Sequence, residues 1–286
     1  MHYTYEAPGA VDAVVNLAMG ELVVTADDVE TITVDVTPTK ADRPADVRAA
    51  ENTEVDFAAG RLTVTQKRES LISTWVNKGW SIDVHVRVPK RSRIQAKSAY
   101  GNIRVVGMIG PSSLTASYGD ITAGDVAELS AKTAYGDVVV DRVSGTTRLT
   151  GTTVRVGEVY GEATVKSTQG DLSTGLVMGR LEAISAQGRI DVRTLMGELD
   201  ARSAHGKIRV DEAVSGTATL NVNYGDIQIG IREGSLTWLD LDSKQGAVRN
   251  ELDALPDAPA DDDGDRLKIT ARAGYGSVRV FRAAAA

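Results

Sequence analysis

A short phrase built around glycine returns along most of the chain, and it limits the possible folds more than any other feature. It reads Ser98-Ala99-Tyr100-Gly101-Asn102-Ile103, then Ser117-Tyr118-Gly119-Asp120-Ile121, then Ala134-Tyr135-Gly136-Asp137-Val138. Later copies centre on Gly170, Gly188, Gly206, Gly225, Gly246 and Gly276. Successive phrase glycines lie 18, 17, 34, 18, 18, 19, 21 and 30 residues apart. The step of 34 holds one degenerate copy, in which Thr152 replaces the glycine and Val154 and Val156 follow. A fixed period of this length is the signature of a repeat architecture.

A second glycine sits about nine residues after most of the first, at Gly110, Gly145, Gly179, Gly197 and Gly234. Apolar and polar residues alternate after both, as in Ile190 and Val192 or Leu199 and Ala201. Such alternation marks half-buried strands, and the glycines mark the corners between them. Each unit of about 18 residues therefore holds two main strands and two turns. An antiparallel meander and a stacked solenoid both fit. The phrase returns in one register with the same residue types, which favours stacking, because stacked coils place like over like. The expected fold is all-β, a single-stranded parallel β-helix, right-handed by the general rule for parallel crossovers. Tyr100, Tyr118 and Tyr135 would then form a ladder, with Gln169, Gln187 and His205 further along it.

Residues 1–90 are a looser version of the pattern and read as irregular coils plus an N-terminal cap, since an open solenoid end exposes strand edges. Pro38 to Ala50 reads as a loop. Ile82, Val84, Val86 and Val88 make the clearest strand, ended by Pro89. Residues 91–252 are the regular coils, 253–266 an acidic proline-bearing insertion, and 267–286 a final coil or closing hairpin with a tail. All belong to one continuous domain.

The formal net charge of -7 argues against nucleic acid or an anionic membrane as the main partner. With no cysteine, disulfides, thiolate metal sites and cysteine nucleophiles are excluded. The start lacks a signal-peptide pattern and no apolar run approaches the ~20 residues of a membrane helix. The sequence as given therefore reads as cytoplasmic, without direct membrane insertion.

Candidate chemistry is thin. Asp257 and Asp261 to Asp265 fail the spacing of a calcium loop. Asp120, Asp137, Asp171 and Asp226 recur at one corner, but the corner also becomes Arg189 and Lys207, as a salt-linked surface would tolerate and a cation row would not. A turn-stabilising Asp that accepts backbone N–H groups is the simpler reading. His2, His85 and His205 lie too far apart in sequence to suggest a zinc triad. No nucleophile elbow, phosphate loop or zinc-protease motif is present. The residues that could form an interaction surface are Tyr100, Tyr118, Tyr135 and Tyr224, with Trp75 and Trp80; Trp238 also lies outside the phrase.

The strand Val84-His85-Val86-Arg87-Val88-Pro89 leading into Ser98-Ala99-Tyr100-Gly101-Asn102-Ile103, with the Gly-Asp-Ile and Gly-x-Leu coils that follow, resembles the bacterial putative-adhesin, or Toastrack-type, β-strand-repeat domain of unknown function. The resemblance covers nearly the whole chain, most clearly residues 80–250. It implies a single-stranded β-helix and, for some members, assembly of complexes near the membrane linked to envelope stress. It brings no catalytic residues.

The expected function is a non-catalytic scaffold that presents flat faces to protein partners or to copies of itself, with no cofactor and no metal. If its end coils are uncapped, they could stack on one another. The alternative is an adhesin-like surface for carbohydrate or envelope polymer using the tyrosines; an enzyme acting on polysaccharide is a distant third.

Overall fold

The computed structural model describes residues 1–66, 79–252 and 266–284. Two compact units divide it, Met1–Val140 and Asp141–Ala286. In each, short strands stack as coils, so the chain is a parallel-rich β-solenoid with one short helix among the described residues.

The first unit contains β1 (His2–Glu6), β2 (Asp12–Met19), β3 (Leu22–Asp27), β4 (Thr31–Pro38), helix α1 (Pro44–Glu51), β5 (Thr53–Ala58), β6 (Arg61–Gln66) and β7 (Ile82–Pro89). Then follow β8 (Arg93–Tyr100), β9 (Ile103–Gly107), β10 (Ser112–Tyr118), β11 (Ile121–Val126) and β12 (Leu129–Tyr135), with β13 (Asp137–Val143) at the division. One sheet runs β5-β6-β2-β8-β10-β12 and the other β1-β4-β7-β3-β9-β11. Coil stacks on coil in parallel, as in Tyr100↔Tyr118↔Tyr135 and Ile103↔Ile121.

The second unit contains β14 (Thr146–Gly151), β15 (Thr153–Val159), β16 (Glu162–Ser167), β17 (Leu172–Val177), β18 (Arg180–Gln187), β19 (Ile190–Leu195) and β20 (Glu198–His205). It continues through β21 (Ile208–Ala213), β22 (Gly216–Tyr224), β23 (Ile227–Ile231), β24 (Leu236–Gln245), β25 (Val248–Asn250), β26 (Arg266–Tyr275) and β27 (Val278–Arg282). Its sheets run β14-β16-β18-β20-β22-β26-β24 and β15-β17-β19-β21-β23-β27-β25. The degenerate copy at Thr152 is a true coil: Val154 lies beside Leu172 and Val156 beside Thr174.

The core follows from alternation. Inward positions such as Leu181, Ala183, Ile190, Val192 and Leu195 are at most 1% exposed. The residues between them face outward, because successive strand side chains point to opposite faces. Each Leu or Ile so buried contributes roughly 1.5–3 kcal/mol over its exposed state.

Chain order and spatial order part at both ends. The first coil, β2–β3, lies between β6–β7 and β8–β9. The last, β26–β27, lies between β22–β23 and β24–β25. Leu267 to Phe281 therefore enters the sheets one level inside, and β24–β25 forms the outermost level.

The N-terminal end is where antiparallel pairing appears: β1 with β4, β4 with β7, and β5 with β6. The stretch read as a loop contains α1. Its proline is at the first helical position, where the missing N–H is one the helix could not have bonded. Asp46, 1% exposed, accepts the N–H groups of Lys40 and Ser81 at 3.2 and 3.1 Å. Ala49 and Ala50 face inward.

Candidate functional site

Most phrase glycines are packed onto the corner glycine of the adjacent coil. Gly101, Gly119 and Gly225 have φ of 141°, 144° and 140°. A methyl group on Gly119 would sit 2.3 Å from the Gly101 carbonyl oxygen, and on Gly225 1.7 Å from that of Gly206. The corner thus demands glycine twice, for its conformation and for the close approach of the neighbouring backbone. That contact fixes the residue just before each glycine in one place, coil after coil.

The result is two aromatic columns, one in each unit. Tyr100, Tyr118 and Tyr135 stack with ring centroids 5.0 and 4.9 Å apart and planes within 7°. His205, Tyr224 and Tyr275 stack at 4.9 and 4.8 Å, within 9°. These distances equal the spacing between neighbouring strands. Every ring remains about half exposed, Tyr135 the most at 61%. The exposed part is edge and hydroxyl, since the faces meet each other. Met19 occupies the register position beside Tyr100, and Gln187 and Gln245 the positions flanking the second column. Each column therefore offers a polar group about every 4.9 Å, with the ring faces within it turned to one another.

The residue after each glycine forms a second row. The Asn102 side-chain oxygen accepts the Asp120 N–H at 2.9 Å, and the Asp120 carboxylate accepts the Asp137 N–H at 2.8 Å. Asp171 accepts from Arg189 N–H and Asp226 from Ser277 N–H, at 2.8 and 2.9 Å. These carboxylates tie one coil to the next rather than closing their own turns. The basic corners pair within the row: Arg189 with Asp171 at 3.3 Å and Lys207 with Asp226 at 3.8 Å. Beside them Asp191 has its carboxyl pushed above the ordinary range, chiefly by burial, with Arg189 opposing.

Behind two of the corners a side-chain hydroxyl reaches the glycine carbonyl. Thr133 Oγ1 donates to the Gly119 carbonyl at 2.8 Å and Ser243 Oγ to that of Gly276 at 2.7 Å. They bind glycine oxygens that the bare corner leaves open.

Of the other candidates, Trp80 is half-buried just before β7, and Trp75 lies outside the described residues, as do Asp257 and Asp261 to Asp265. The histidines do not converge: His2 Nδ1 is 2.6 Å from Asp35, His85 is exposed on β7, and His205 stands in a column. Among the described residues no three His, Asp or Glu side chains are grouped to hold a metal ion, and no helix is long and apolar enough to cross a membrane.

Sequence reasoning passed over one exposed apolar feature, and noted a second, Trp238, without placing it in the interaction surface. Tyr160, Met178 and Met196, exposed by 44, 47 and 38%, precede the second-corner glycines Gly161, Gly179 and Gly197. That position could have been found by aligning the nine-residue half period. Trp238, 55% exposed with the Lys268 ammonium 5.0 Å from its ring, stands on β24. Its signal was the lengthening of the glycine step from 19 to 21 residues just there.

A family model for Toastrack DUF4097 domains matches residues 14–282. No curated protein matches the chain. Among solved structures, a putative adhesin of Bacteroides fragilis is similar over 98% of this chain and 96% of its own, at 12% identity and a TM-score of 0.39. A putative lipid binding protein of Parabacteroides distasonis is similar over 98% and 96%, at 10% identity and a TM-score of 0.45. A putative cell adhesion protein of Clostridium sporogenes is similar over 99% of both chains, at 10% identity and a TM-score of 0.23.

Proposed function

The chain belongs to the Toastrack DUF4097 family, and from that premise and the corner geometry we propose that it is a non-catalytic platform that binds protein partners along its aromatic columns. The observation that carries this reading is the edge-out stacking of Tyr100, Tyr118 and Tyr135. Glycine packing fixes the rings, so their hydroxyls meet a partner with little further loss of side-chain freedom. Such preorganisation favours binding, and tyrosine is enriched where proteins meet.

A carbohydrate-binding surface is the second reading, and it has the exposed aromatic rings in its favour. Sugars bind aromatic faces, however, and here the faces within each column are turned toward neighbouring rings. On the family resemblance alone, we extend the platform reading to complexes assembled at the cell envelope.

A photo-crosslinking residue placed at Tyr118 tests it, with the exposed Arg104 on β9 as the control position. In the native host, discrete protein adducts are expected from position 118 and not from 104. The Tyr100→Ser/Tyr135→Ser background should remove them while the far-ultraviolet dichroism stays unchanged. Equal labelling from both positions, or none from either, sinks the reading. Binding on a glycan array that the same serine substitutions abolish would replace it with the carbohydrate reading.

A further inference from the structure

The outermost level of the second unit is unfinished. β24 pairs with β26 on one side only, and β25 likewise with β27. Among the described residues no strand lies on their other edges. The inward positions show the consequence. Leu239 and Leu241 are register partners of Ile269 and Ala271, both 0% exposed, yet both leucines are half-exposed. Val248 is 45% exposed beside Val278 at 0%. Free backbone groups along an apolar edge are a template for another strand.

The sequence of this edge suits a copy of itself. Asp242 and Lys244 are exposed and flank Ser243, whose hydroxyl turns inward to the Gly276 carbonyl. An antiparallel pair of β24 strands centred on Ser243 sets Asp242 of each copy opposite Lys244 of the other. Directly opposed residues in such a pair lie on one face of the sheet, so inward residues stay inward. A two-fold axis along the sheet normal also brings the two β25 edges together in antiparallel fashion. One operation thus satisfies both open edges, as an isologous contact requires.

We propose that the chain dimerises through β24 and β25, about a two-fold axis passing near Ser243. The contact covers the cross-section of a single coil, so it falls in the small, transient class of interface, under about 1,200 Å² in total. The dimer therefore forms in the micromolar range and dissociates on dilution.

Sedimentation velocity on the full chain from about 1 to 200 µM, the span that brackets a micromolar equilibrium, tests this. The mass is expected to rise from 30.3 kDa to twice that value. Leu239→Lys with Leu241→Lys should hold the chain monomeric at the top concentration. Asp242→Lys alone should weaken association at least tenfold without touching the core, and Asp242→Lys with Lys244→Asp should restore it. Tyr118→Ser should leave it unchanged, which separates this contact from the columns. A monomer at every concentration overturns the proposal, as does a mass that keeps growing past the dimer or a dimer indifferent to the lysines. If the double exchange fails to restore association, the pairing about Ser243 is wrong.

Discussion

The two ends of the chain meet one physical problem with opposite solutions. Stacked coils leave an apolar cross-section and a row of unpaired backbone groups wherever stacking stops. In the first unit irregular elements of the chain cover the last coil, and the sheet edges pass to β1 and β5. Antiparallel β4 brings Ile32, Val34 and Val36 to 0% exposure, α1 lays Ala49 and Ala50 inward, and β5 folds back on β6. In the second unit β24 and β25 keep half-exposed leucines and an exposed valine, with no further strand beside them among the described residues. The second unit also holds the last coil of the sequence, β26–β27, one level inside the outermost one, whereas in the first unit β1, the first strand of the sequence, is itself the edge of its sheet. A chain end held between two coils cannot peel away alone. A closed stack therefore needs two separate devices, one to hold the terminus and one to cover the last edge. The second unit has the first device, and among its described residues no element supplies the other.

The sharpest way to break this comparison is to place a charge at each end. Val34→Asp puts a carboxylate where no water reaches. An unpaired buried charge of this kind costs several kcal/mol, and a loss of at least ~4 kcal/mol is expected. Leu239→Asp, on the half-exposed edge, should cost under ~1.5 kcal/mol. Urea denaturation of both variants measures the difference. Similar losses would mean that the second edge is covered as fully as the first.

A smaller effect separates the regular corners from the cap's hairpin. Gly225→Ala must displace the Gly206 backbone, 1.7 Å from the new methyl group, and it also holds φ of 140°. A loss of roughly 3 kcal/mol or more follows from strain plus displaced packing. Gly60, between β5 and β6, has φ of 75° with open space around it. Alanine there meets only the left-handed backbone penalty of about 1–2 kcal/mol. If the two variants melt alike, the glycine column is a matter of conformation alone.

What the sequence made legible follows the same division. The coils, the parallel register and the tyrosine column could be read because each coil repeats one solution: glycine at the corner, tyrosine before it, aspartate after it. Even Thr152 was placed, since Val154 and Val156 kept the alternation going. The ends were opaque because they do not repeat. α1 hid behind Pro44, whose role at a helix start looks the same in sequence as a loop proline. The position of β26 inside β24 was hidden too, because apolar alternation is alike in every coil and does not encode which neighbour a strand chooses. The carboxylates at the corners were read as closing their own turns, while Asp120 in fact reaches the next coil's Asp137 N–H. That distinction is three-dimensional and leaves no mark on residue type.

Acid gives the smallest and most local separation of the two ends. At the open level the Arg279 guanidinium hydrogen-bonds Glu251 at 2.8 Å and holds its carboxyl below the ordinary 4.5. Arg272 does the same for Asp240, below the ordinary 3.8. Each bond joins β24 or the end of β25 to the neighbouring coil, so both resist fraying of the last level. A carboxyl depressed in the folded state adds stability that is complete above its unfolded value and fades as pH falls toward the folded one. Loosening should therefore begin below about pH 4.5, first at Glu251 and then at Asp240. Both groups are open to solvent, so screening keeps the effect small and salt should reduce it further. Amide hydrogen exchange, followed in dilute monomeric protein between pH 5 and 3, the range in which carboxylates titrate, checks it. After correction for the intrinsic pH dependence, protection of β24 and β25 amides should fall while that of β4 holds. If β4 loses protection first, the covered end is the weaker one in acid, and the contrast between a closed and an open edge does not govern local stability.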